Sequence, residues 1–369
     1  MSEERNPTVP TEEGHGREAG EAGVPPPLPG TAAHAVARDG DEIHAAPEQA
    51  VGEGDVRAPD GAGEAAGAGG SLWRDAWRRL LKNRLAVFGL VVVSVVVVCA
   101  AVGPVVIERA TGFSYETQPT DSRDRGAFAP FTSPEGDFSW THPMGTDPAG
   151  RDVLARVLQG GRISLAVGLI ATLVSLLIGI SYGATAGYVG GRTDDLMMRV
   201  VDVLYAVPYI LVVIVLLALF RNQTPGGQIF LLFAALGAVS WLTMARIVRG
   251  QVLSLKNQEF VLAARAGGVR TPRIVFRHVV PNALGPVVVY ATLTVPQVML
   301  SEAFLSFLGL GVQPPYASWG SLANEGIQNI AVFPWQLVFP GATMALTLFS
   351  LNFLGDGLRD ALDPQMRKQ

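Results

Sequence analysis

Charge is scarce in this chain: Asp, Glu, Lys and Arg make up 16% of its 369 residues, against roughly 25% in soluble domains. Lysine is scarcer still, at Lys82, Lys256 and Lys368 alone, none of them preceded by glycine. A phosphate-cradling P-loop needs a Gly-Lys step, so ATP hydrolysis of that kind is excluded here. The single cysteine, Cys99, lies in an apolar run, which rules out a disulfide framework and a cysteine-based metal site. His15, His34, His44, His142 and His278 are scattered without metal-ligand spacing, so no metal is expected.

Apolar residues are plentiful, at 49%, and with so little charge they point to a membrane protein. The net charge of −4 conceals two opposed parts: residues 1–70 hold 14 acids and 4 bases, the remainder 18 acids and 24 bases. Residues 1–72 read as a disordered acidic tail, rich in Gly, Ala, Pro and Glu, with a proline run at Pro25–Pro29. Too few long apolar side chains occur there to offset the entropy of ordering. The tail also lacks the basic start and apolar core of a signal peptide.

Character changes at Trp73. A basic amphipathic segment (Arg74, Arg78, Arg79, Lys82, Arg84) leads into Leu85–Ile107, long enough to cross a bilayer as one helix. Further candidate spans are Ile163–Ala186, Val200–Phe220, Ile229–Ala245, Leu284–Leu308 and Trp335–Leu354, giving six in an all-α fold. The organisation expected is a tail over 1–72, then an amphipathic segment, first span and long external loop over 73–162. A five-helix core over 163–369 follows, carrying a cytoplasmic loop at 249–281. With the N-terminus inside, 17 basic residues fall on the inner side and 7 on the outer, so both termini are expected in the cytoplasm of a plasma-membrane protein. Gly179, Gly183 and Gly187 share one helix face and read as a packing stripe. Pro208, Pro296 and Pro340 each sit inside a span, where they kink or loosen the helix.

One stretch fits GxSxG, Gly179-Ile-Ser181-Tyr-Gly183. That motif serves catalysis on a strand-turn-helix elbow, whereas Ser181 lies midway along an apolar helix with no histidine in any span to act as base. A membrane-embedded hydrolase is therefore disfavoured, and no catalytic residue is assigned. Span five is the most polar, with Thr294, Gln297, Ser301 and Glu302. An ionisable residue within a span is a functional candidate by default, and these four are the expected lining of a translocation path, with Glu302 placed to meet a peptide's amino terminus. Asp356, Arg359, Asp360 and Asp363 read as a charged cap after the last span. The outer segment from Gln313 to Pro334, with Tyr316 and Trp319, reads as an interfacial plug or docking surface. Gly150, Arg151, Asp152 and Arg156 either share that surface or form a local salt bridge.

The loop between spans four and five is the most informative. Ala263, Ala264, Gly267 and Gly268 fall at i, i+1, i+4 and i+5, on one flat helix face that another protein can approach closely. Arg265, Arg270, Arg273 and Arg277 surround it. This pattern resembles the EAA loop of binding-protein-dependent ABC permeases, with Ala263-Ala264, Gly268, Val280 and Pro281 at the motif's spacings. Leu262 stands where the motif has Glu and His278 where it has Ile, while Glu259 lies about one turn upstream of Ala263. The segments His142–Asp152, Glu302–Pro315 and Leu354–Pro364 are similar to those of the dipeptide/oligopeptide/nickel permease family, most of all its C-type subunit.

The resemblance implies a type I importer permease that forms half of a translocation pathway for di- or oligopeptides, with nickel chelates or another small solute as the alternative. It implies four kinds of partner: a second homologous permease, one or two ABC ATPase subunits that carry ATP and Mg, an extracytoplasmic substrate-binding protein, and membrane lipid. No cofactor on this chain and no nucleic acid are expected. Glu259, Ala263, Ala264, Arg265, Gly267, Gly268 and Pro281 would couple to the ATPases. An ATPase-independent channel or scaffold is a remote alternative.

Overall fold

The computed structural model describes residues 72–119, 126–220 and 224–362. The acidic tail, apart from Leu72, lies outside these residues, as do Pro25–Pro29, Arg221, Asp363, Arg367 and Lys368. Eleven α-helices cover most of the described chain: α1 (Leu72–Leu80), α2 (Arg84–Thr111), α3 (Val153–Val189), α4 (Gly191–Ala206), α5 (Tyr209–Leu219), α6 (Pro225–Leu255), α7 (Glu259–Ala266), α8 (Thr271–Ile274), α9 (Val280–Phe307), α10 (Trp319–Gln328) and α11 (Trp335–Leu362). A single π turn, Val275–Val279, joins α8 to α9. Among the described residues, β pairing is confined to isolated bridges in the loop before α3.

Five stretches are long and apolar enough to cross a membrane: α2, α3, α6, α11 and the run Thr271–Phe307. The sixth is α4 with α5, bent by 75° at their junction. The valine-rich run of α2 has poor helix propensity in water, but in lipid every backbone group must be paired within the segment, and the helix is the outcome. Asn83 starts it by accepting from the amides of Leu85 and Ala86, and Gly112 ends it in the left-handed region.

Three expectations from sequence need correction. Span three, expected as one kinked helix over Val200–Phe220, is broken at Val207–Pro208 into two helices. Proline removes a ladder donor and pushes the residue before it out of the helical region, and Val207 accordingly adopts an extended backbone, φ −81° and ψ 127°. Span two starts ten residues before Ile163, so the division expected at 162 falls inside α3. Span five begins at Thr271 rather than Leu284, which makes the membrane helix and part of the preceding loop one continuous element.

Packing centres on α3. Its Gly179–Gly183–Gly187 stripe lies against α6: a Cβ on Gly183 would overlap the Ala245 carbonyl, and one on Gly187 would fall 2.9 Å from that of Arg249. Without a hydrophobic driving force between helices in lipid, such close backbone approach is what holds them together. Ala100 meets Gly161 where α2 ends and α3 begins, while Ala86 meets Gly357 where α2 begins and α11 closes. The start of α2 and the ends of α3, α6 and α11 therefore share one end of the bundle with α7. The loop before α3 and α10 occupy the other.

Candidate functional site

A cavity of about 320 Å³ opens beside the break in span three. Tyr205, Pro208 and Tyr209 form its wall on one side, Ser240 and Thr243 of α6 another, and Tyr290, Thr294, Gln297 and Ser301 of α9 a third. Tyr209 reaches Ser301 through a 3.1 Å hydroxyl–hydroxyl contact, while the hydroxyl of Thr294 donates back to Tyr290 O. Three of the four residues expected to line a path are thus brought together. The cavity wall supplied by this chain carries hydroxyls and one amide but no charge.

Glu302, the fourth, is not part of it. Its side chain is 1% exposed and lies on the adjoining stripe of α9, away from the cavity, where Ser306 Oγ donates to Oε1 (2.6 Å) and Ser164 Oγ to Oε2 (3.3 Å). Ser164 in turn accepts from the Trp319 amide, and Ser306 touches Ser318, the N-cap of α10. The expected contact with a peptide amino terminus is corrected accordingly: Glu302 ties α3, α9 and α10 together behind the wall. Sequence spacing placed it on the stripe adjoining Ser301, and only the neighbouring helices decide which side of that stripe is filled.

Two arginines of α6 grip α4 beside the cavity. Arg249 makes a two-point contact with Asp194 (2.6 and 2.8 Å), and Arg246 bonds Asp202 at 2.7 Å with its guanidinium 4.2 Å from the centre of the Tyr205 ring. Nothing in the sequence singled out Tyr205, Tyr209 or these pairs. The Val207-Pro208 step was the available signal, as a proline within a span demands an adjacent break or kink.

At the end of the bundle that carries the ends of α3 and α6, α7 forms over Glu259–Ala266 and stops there. Gly268 takes the left-handed conformation at φ 73°. The amides of Gly268 and Val269 bond back to the carbonyls of Arg265 and Ala264, the paired bonds of a Schellman cap. The flat face expected from Ala263, Ala264, Gly267 and Gly268 is therefore redrawn. Ala264 packs inward with the fully buried Val261, and Arg265 is held by Tyr188 at the end of α3 through a 3.2 Å bond. Glu259, Leu262, Ala263, Ala266 and Gly267 are exposed and lie on the outward side, at i, i+3, i+4, i+7 and i+8. Gly268 acts through its backbone. Pro281 is exposed at the start of α9; it cannot donate to the turn before it, and the chain widens into the π turn just ahead.

The opposite end is built around two aspartates of the loop before α3. Asp147 Oδ1 accepts from the amides of Ala149 and Arg151, and Oδ2 from Arg151 Nε (2.6 Å) and Arg156 (2.8 Å). Arg156 continues to Glu325 of α10 with bonds of 2.7 and 3.0 Å. Asp152 caps α3 through the Ala155 amide and bonds His142 Nδ1 at 2.7 Å. Arg151 and Arg156 are thus in local salt bridges, but with Asp147 and Glu325, while Asp152 holds His142 and the start of α3 instead. In the turn after α2, partial burial, with Glu116 alongside, pushes the Tyr115 phenol up to about 12. Ser181, from the GxSxG match, donates to Leu177 O along α3.

Two family models match. Residues 175–368 match the binding-protein-dependent transport system inner membrane component, and residues 71–134 the N-terminal TM domain of oligopeptide transport permease C. The chain is 48% identical to the oligopeptide transport system permease protein OppC of Haemophilus influenzae, over 81% of this chain and 90% of that one. It is 44% identical to OppC of Bacillus subtilis (81% and 91% covered). It is also 45% identical to the dipeptide transport system permease protein DppC of Bacillus subtilis (81% and 87%).

Proposed function

The chain belongs to the family of inner membrane components of binding-protein-dependent transport systems, and on that premise we propose that it is one of two permeases lining the path of an ATP-driven peptide importer. The observation that carries this reading is the continuity of Thr271–Phe307, one run from the turn after α7 to the cavity wall at Thr294, Gln297 and Ser301. A movement imposed on α7 by a partner passes through the turn at 267–270, which the bonds of Gly268 and Val269 to Arg265 and Ala264 tie to α7, and then along that run to the wall. ATP and Mg then belong to cytoplasmic ATPase subunits that receive the outward side of α7, with Glu259, Ala263 and Gly267 facing the ATPase. Ala264 and Arg265 seat the helix on α3, Gly268 closes it, and Pro281 starts α9 beyond the π turn. A substrate-binding protein delivers peptide at the α10 end, and a second permease covers the exposed apolar residues Leu204, Val207 and Leu211 beside the cavity. The uncharged wall suits peptides of varied sequence, because hydroxyls and an amide can pair with the peptide backbone common to all of them. On this arrangement both termini face the cytoplasm.

The test separates docking from backbone shape. Ala263→Trp adds bulk to the outward side of α7 without altering its backbone, whereas Gly268→Asn keeps a residue that tolerates the left-handed conformation. In the reconstituted complex, Ala263→Trp is expected to lower peptide uptake and peptide-stimulated ATPase about tenfold or more, the effect of overpacking a close contact. Gly268→Asn should retain most of both. Wild-type uptake by Ala263→Trp, with the complex assembled, would refute the docking face.

A further inference from the structure

The junction of α1 and α2 gathers Arg74, Arg78, Arg79, Lys82 and Arg84 within a few residues, with Asp75 the one acid among them. None of these five side chains pairs with another described residue, whereas Arg151, Arg156, Arg246 and Arg249 each hold a carboxylate. The helix is fixed from beneath: Ala76 and Leu80 are buried against Ala86 of α2 and Ala361 of α11. Its opposite stripe is Arg74, Trp77, Arg78 and Leu81, at i, i+3, i+4 and i+7. All four are exposed, Trp77 to 53%. That stripe runs on into Leu85, Phe88 and Val91, exposed residues of α2, the most apolar of the five long spans.

We propose that this junction binds the headgroups of anionic phospholipids in the leaflet where α2 enters the bilayer. The clustered guanidinium groups attract an anion, and the interleaved Trp77, Leu81 and Leu85 are stabilised by an apolar phase. A headgroup with its acyl chains supplies both at one place. Tryptophan sits at the depth where ring and headgroup meet, and arginine stems lie along apolar surface while their charged ends reach outward. Free phosphate would satisfy the cations and leave the apolar stripe wet. Because α1 rests on Ala361, the bound lipid also braces the end of α11.

The probe is phosphatidylglycerol in competition with phosphatidylcholine. The full-length chain is held in detergent micelles doped with both lipids, and the lipids it retains are counted by native mass spectrometry. A juxtamembrane cation near an anionic headgroup is worth about fivefold in affinity, so the Arg74→Gln, Arg78→Gln, Arg79→Gln variant should lose preference for phosphatidylglycerol on the order of a hundredfold. The matching triple Arg→Lys variant should keep it, which shows that charge rather than fold is being read. Equal retention of the two lipids by the wild type, or an unchanged preference in the Gln variant, would overturn the proposal. So would a preference that emerges only once residues 1–71 are removed, since the acidic tail would then be the anion these cations hold.

Discussion

Asp147 offers the sharpest quantitative test of the packing, because its partners differ in what they lose when it is removed. Substitution of Asp147 by Ala strips Arg156 of one of its two carboxylates while that guanidinium stays 4% exposed, and it removes the acceptor for the Ala149 and Arg151 amides. Breaking a buried pair by removing one partner costs about 3–5 kcal/mol. Arg156→Ala should cost less, about 2–3 kcal/mol, because Asp147 keeps Arg151 and two amides. Glu325→Gln should cost about 1 kcal/mol at most, since the Glu325 side chain is 42% exposed and water can replace what it loses. The assay is hydrogen exchange of the Thr146 and Val153 amides, which bond to Phe128 O and Gly145 O and so keep their acceptors in all three variants. Each 1.4 kcal/mol is about tenfold in exchange rate. If Glu325→Gln exposes these amides as much as Asp147→Ala does, the network is not organised around a buried Asp147–Arg156 pair.

Gly183→Val should abolish accumulation of folded protein in the membrane, because a Cβ there overlaps the Ala245 carbonyl and backbone cannot yield as a side chain can; normal accumulation would mean that α3 and α6 are not in this contact. Glu302→Gln should transport normally, since an amide still bonds Ser164 and Ser306. Glu302→Ala should lower the unfolding midpoint in detergent by the equivalent of about 3 kcal/mol by removing the carboxylate to which both hydroxyls donate, and a transport defect in the Gln variant with unaltered stability would return Glu302 to the path.

The sequence was most legible where the physics is one-dimensional. Long apolar runs bounded by basic residues located the spans, because a bilayer imposes length and backbone self-pairing on each segment alone. The glycine stripe announced a close helix neighbour but not which one, and α6 was settled by the shape of both helices. Span three was located while its break was not, because kink and break begin from the same proline, and the exposed faces of α4 and α5 let the chain turn. Glu302 was misassigned for a related reason: adjacent stripes of one helix look alike until the partners of each are known.

The loop around α7 shows how spacing and residue identity come apart. Leu262 stands where the EAA pattern has an acid, yet it is exposed on the same outward side of α7 as Glu259, one turn earlier. That side therefore still carries an acid, at Glu259. His278 replaces an aliphatic residue, but it lies within the π turn, where its carbonyl accepts from Asn282 at 2.6 Å, and the apolar contacts are made by Val275 and Val279 on either side. Gly268, by contrast, cannot be exchanged freely although nothing lies within 4 Å of its missing Cβ. Its left-handed backbone closes α7 and directs the chain into Thr271–Phe307, so the conformation is what this position requires. Positions that act through backbone or through a shared side tolerate different rules of substitution, and only geometry tells them apart.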